Sequence, residues 1–117
     1  MNKKKIVYDL ILLFVQKMKK LGFGINLYND YYRGQGASAF KDRKLYFNCH
    51  CSYSPESICI TGAKDSCTLN YDMFYILKIN ENDTYETCKI RFEKLFEEMQ
   101  EYLEKDLEPH FEDRREF

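Results

Sequence analysis

The spacing of apolar residues changes twice along this chain of 117 residues, and the two changes narrow the folds open to it. Over residues 3–21, Val7, Leu10, Ile11, Phe14, Met18 and Leu21 recur every three to four positions, the period of an α-helix. Leu12, Leu13 and Val15 widen that arc, which predicts a helix buried on more than one side. Lys17, Lys19 and Lys20 favour its C-terminal pole, and Gly22 supplies a stop. From 23 to 79 the period falls to two. Phe23, Ile25 and Leu27 alternate with polar neighbours. Over residues 44–53, Leu45, Phe47, Cys49, Cys51 and Tyr53 share one face, and Tyr46, Asn48, His50 and Ser52 the other. Further strands are expected at Ser57–Thr61 and, as one long piece or two short ones, across Thr68–Ile79. The intervening Arg33–Arg43, with Gly34, Gly36, Ala37 and Ser38, reads as an exposed loop.

The helical period returns over residues 83–107. Asp83 and Glu86 have the spacing of a capping box. Cys88, Phe92, Leu95, Met99, Tyr102 and Leu103 form one stripe, and Glu93, Glu97, Glu98, Glu101 and Glu104 stand opposite. Pro109 ends or kinks the helix, and a charged tail over 108–117 is expected to fray. The expected fold is therefore α+β, in the order α-β-β-β-(β)-α. A small antiparallel sheet carries the N- and C-terminal helices on one face, all in a single domain over 1–117.

An apolar share of 44% beside a charged share of 32% suits a folded domain rather than a disordered chain. The net charge of −1 conceals a division. Residues 1–79 hold twelve Lys/Arg and six Asp/Glu, and residues 80–117 hold six and thirteen. Such a split bears on partners and association rather than on fold. Ile6–Val15, the longest apolar run, contains Asp9 and is half the length of a membrane span, so no membrane partner is expected. Lys3-Lys4-Lys5 resembles the start of a secretory signal, but no small-residue cleavage site follows. Five cysteines, an odd number without that context, point to reduced thiols and a cytoplasmic location.

No motif for catalysis stands out. In a strand, Cys49 and Cys51 point away from His50, and the chain has no C-x-x-C spacing, so neither metal nor cofactor is expected. His50 and His110 are the two available imidazole bases; His50 faces away from its neighbour Cys49 in a strand and His110 sits in a charged tail, so the chain is not expected to be an enzyme. Arg33-Gly34-Gln35-Gly36 lacks the lysine and helix start of a phosphate loop.

Two surfaces remain. Glu97, Glu98, Glu101, Glu104, Asp106 and Glu108 give the last helix an acidic face suited to a basic protein partner, including a nucleic-acid-binding complex. The same face could dock on the basic half of a second copy and form a homodimer. In the alternative, Tyr31, Tyr32, Arg33, Lys41, Arg43, Lys44 and Tyr46, within the segment 28–46, interleave rings with cations as single-stranded nucleic-acid binders do. In size and lack of motifs the chain resembles small accessory proteins of phages and mobile elements, anti-CRISPR inhibitors among them. That likeness implies an inhibitory binding protein and assigns no residue.

Overall fold

A computed structural model describes residues 3–30, 34–42, 45–51, 57–63, 73–104 and 114–116. The elements are α1 (Lys3–Lys20), β1 (Gly24–Asp30), β2 (Gly34–Lys41), β3 (Leu45–Cys51), β4 (Ser57–Ala63), β5 (Met73–Lys78), α2 (Tyr85–Glu104) and β6 (Arg114–Glu116). All strands join one sheet in sequence order. Pairing is antiparallel from β1 to β5, and β6 runs parallel to β5. The α+β class and the helix, meander, helix order are those expected. The frayed tail is corrected in part: 114–116 forms β6, whereas 105–113 falls outside the described residues. A parallel pair needs a long crossover, and α2 lies in the connection that provides it.

Register shows how one sheet face becomes the core. Ala37, Cys49, Ile60 and Tyr75 stand opposite one another across four strands, and all are buried. Ala39 with Phe47, and Ile58 with Leu77, fall on the same face. Over them lie Leu10, Ile11, Phe14 and Met18 of α1 and Phe92, Leu95 and Met99 of α2. Each such side chain contributes about 1.5–3 kcal/mol when removed from water. The broad arc expected of α1 is narrower than the sequence suggests. Val15 is buried, Leu13 half-buried and Leu12 exposed, so α1 covers the sheet with one wide face.

The loop expected over residues 33–43 is a strand from Gly34 to Lys41, paired on both sides. Gly, Ala and Ser are weak strand formers alone, but two flanking ladders override propensity. Their small size has a use: Ala37 and Ala39 let α1 sit low, and Gly36 leaves room for the Tyr28 ring.

The helices lie side by side. Lys17 Nζ meets Glu93 Oε2 at 2.6 Å and sits 5.1 Å from the centre of the Phe96 ring. Asp9, eight residues earlier, acts on Tyr85, eight residues before Glu93, so the helices run parallel. Glu93 therefore faces α1 and leaves the outward acidic row.

The start of α2 also differs from expectation. Thr84 and Thr87, not Asp83 and Glu86, exchange the capping bonds, Thr84 N–H to Thr87 Oγ1 at 2.9 Å and Thr87 N–H to Thr84 Oγ1 at 3.3 Å. Asp83 instead accepts the Asn80 N–H at 2.7 Å and pairs with Arg91, which also donates to the Lys78 carbonyl at 2.8 Å. Partial burial pushes the Asp83 carboxyl up, but the Asn80 N–H, the Thr87 hydroxyl and Arg91 outweigh it and hold it below its ordinary 3.8. A depressed carboxylate adds stability above its unfolded pKa and loses it as pH falls through the folded value. Asp83→Asn is therefore expected to cost about 1–2 kcal/mol at neutral pH. In urea titrations, the gap from the parent should close once the pH falls well below 3.8.

Candidate interaction surfaces

The core stripe of α2 leaves Glu86, Ile90, Lys94, Glu97 and Glu101 exposed along its outer side, at three-to-four spacing. Ile90 is 64% exposed at the heart of this row. The structure divides the predicted acidic residues. Glu97 and Glu101 belong to the outward row. Glu98 turns to a flank and is half-buried. Glu104 is the last helical residue, and Asp106 and Glu108 lie outside the described residues. The row is thus a mixed patch around an isoleucine rather than an unbroken line of carboxylates. Ile90, which sequence reasoning missed, was legible as an apolar residue on the side of the helix opposite the Cys88–Phe92 stripe.

Glu101 and Glu104 also stand at the carbonyl end of α2, whose last turn has no basic residue. The helix dipole disfavours anions there by about 0.3–1 kcal/mol. Helix stability does not account for their charge.

The second surface is the sheet face turned away from the helices. Tyr28 lies across Gly36 and donates to Asn48 Oδ1 at 2.5 Å. Asn48 Nδ2 donates to Tyr46 Oη at 3.3 Å, and Tyr46 Oη lies 3.2 Å from Ser38 Oγ. Three strands are thus tied by a polar network that the alternation in β3 only half revealed. Ser38 and Asn48 are buried within it and Thr61, opposite Asn48, is buried beside it, so the centre of this face is not a solvated polar surface. The Thr61 hydroxyl bonds nothing among the described residues. Phe40 stands beside Tyr46 across the β2–β3 pair and is 49% exposed.

Of the alternative nucleic-acid segment, Tyr31, Tyr32, Arg33, Arg43 and Lys44 lie outside the described residues. Lys41 donates to the Leu21 carbonyl at 3.0 Å and sits 5.6 Å from the centre of the Phe23 ring, and the Tyr46 hydroxyl is held in the network. The structure therefore brings Tyr46 together with Phe40, which sequence reasoning missed, and turns Lys41 to a structural task.

The cysteines divide as strand geometry requires. Cys49 is in the core, whereas His50 pairs with Cys59 on the opposite face. Burial, then the neighbouring Cys59 and Cys51, push the Cys49 thiol well above its usual range, which keeps it protonated and unreactive. Burial and Asp83 likewise raise the Cys88 thiol, against the pull of Arg91. Among the described residues, no three His, Cys, Asp or Glu side chains gather as a metal site would. Cys67 and His110 fall outside them. No described helix is long and apolar enough to cross a membrane.

No protein-family model matches the chain, and neither does any curated protein or solved structure.

Proposed function

We propose that this chain is a non-enzymatic binding protein that modulates a protein partner through the outer side of α2. The observation that carries this reading is Ile90, exposed within a charged helical row. An apolar anchor ringed by charge suits a protein pocket with a basic rim. A partner that handles nucleic acid would present such a rim, which fits the character of an inhibitor from a phage or mobile element.

Glu101→Lys separates binding from folding. Removing an anion from the carbonyl end of α2 and placing a cation there should raise stability by roughly 0.3–1 kcal/mol. The same change should weaken capture of the partner from host lysate, as should Ile90→Asp. Thermal melts and quantitative pull-downs check both. Unchanged capture by both variants would remove α2 from the proposal.

A second reading takes the Phe40–Tyr46 ring pair as a stacking surface for single-stranded nucleic acid. Salt-sensitive retention on single-stranded DNA or RNA, lost on Phe40→Ala and kept on Ile90→Asp, would favour it over the first.

A further inference from the structure

We infer that the free edge of β1 is a self-association surface, on which a second copy of this chain adds its own β1 antiparallel and extends the sheet across a two-fold axis. The described residues expose five large apolar side chains: Tyr8, Leu12, Leu27, Phe40 and Ile90. Three of them collect at this edge, Leu27 and Tyr8 on the helix-covered side and Phe40 on the other face. Leu27, 59% exposed, is the middle residue of β1. Phe40 pairs with Gly24 of β1 and lies across it, close enough that a Cβ there would meet the ring at 2.7 Å. Tyr8 follows from helical phase. Lys17 points to α2, and Tyr8, nine residues away, lies about 180° around α1 from it; Leu12 instead faces outward, in a groove with Asp9, Gln16 and Tyr85. Because α1 sits over β1 to β3 and α2 against β5, the flank opposite α2 overlooks the β1 edge.

Among the described residues, nothing pairs with the outer edge of β1. β1 is the first strand of the sheet, and its seven residues pair with β2 without a bulge. It has no proline or lysine, the usual guards of an exposed edge. Its sequence also suits a copy of itself. In an antiparallel pair centred on Leu27, Leu27 meets Leu27 of the other copy, Ile25 meets Asn29, and Asp30 meets Gly24. The strand's one charge thus never faces its own kind.

The geometry also gives the exposed leucine a cover. With α1 over β2, the two first helices would lie roughly 14 Å apart, about three strand spacings. Close helix packing needs about 8–10 Å. The paired Leu27 side chains would floor the cleft between them, and Tyr8 would line its walls. The α2 face, four strands away, stays available to another partner.

Sedimentation velocity over a concentration series tests the inference on the full chain. The wild type should dimerise, Ile90→Asp should dimerise equally, and Leu27→Lys should be monomeric. Salt should not dissolve the dimer, because its contacts are apolar and backbone. If Leu27→Lys fails to fold, amide exchange of the wild type decides. Protection along residues 25–29 should rise with protein concentration, and no change there overturns the inference. It is equally overturned by a wild type that stays monomeric at its highest soluble concentration. A dimer that survives Leu27→Lys and falls apart in salt would also overturn it, and would point to α2 docking on the basic half of the other copy.

Discussion

Phe47→Ala is expected to remove about 3–5 kcal/mol of stability, the range for deleting a fully buried phenylalanine. Phe47 is wholly buried on β3, with Ala39 opposite on one side and Gly62 on the other. Neither neighbour has the bulk to fill the space that its ring would leave. The Phe23 ring meets it edge-on, with 5.8 Å between centroids, so the truncation also breaks an aromatic pair at the α1–β1 turn. A domain of this size is stable by only about 5–15 kcal/mol, so the loss is a large part of the whole. Urea denaturation should show a lower midpoint with a nearly unchanged slope, since the folded state keeps its extent. A cost below about 1 kcal/mol would mean that the site collapses around the missing ring, and that α1 is not held as close to the sheet as Ala37 and Ala39 suggest.

The legible parts of this fold are those in which one physical pattern acts alone. The residues of β3 alternate between a helix-covered face and a polar one, so period two shows plainly and the face assignment of Phe47 and Cys49 follows. The helix stripes are legible for the same reason. β2 was hidden because its residues answer to packing across strands rather than to strand propensity. Gly36 makes room for a ring from β1, and Ala37 and Ala39 for a helix, relations that no local window contains. The cap of α2 was misread because two overlapping pairs had the right spacing. Asp83 was drawn away by Arg91, whose role depends on where β5 ends. Of the candidate surfaces, the outward placing of Glu97 and Glu101 could be read from helical phase. The inward turn of Glu93 needed the position of α1, and the capture of Lys41 by the Leu21 carbonyl needed the sheet.

Gly36→Ala is expected to destabilise the protein by about 1–3 kcal/mol, the usual cost of forcing extra volume into a packed site. The opposite sign would be the default. Where the backbone permits it, replacing glycine by alanine commonly adds about 0.4–1 kcal/mol by restricting the unfolded chain. Gly36 has no left-handed backbone to protect, so space alone decides. A Cβ there would stand 2.5 Å from Tyr28 Oη, 2.6 Å from Cζ and 2.7 Å from the Cys49 carbonyl oxygen. The ring could swing away, but only by giving up its bond to Asn48, which ties β1 to β3 across β2. The carbonyl belongs to a strand paired on both sides and has little freedom to yield. A double-mutant cycle with Tyr28→Ala apportions the two clashes. Removing the ring should recover part of the loss, and the remainder should persist as the contact with the Cys49 carbonyl. A Gly36→Ala variant as stable as the parent would show that Tyr28 does not cross the strand at this point, and the network built on that crossing would fall with it.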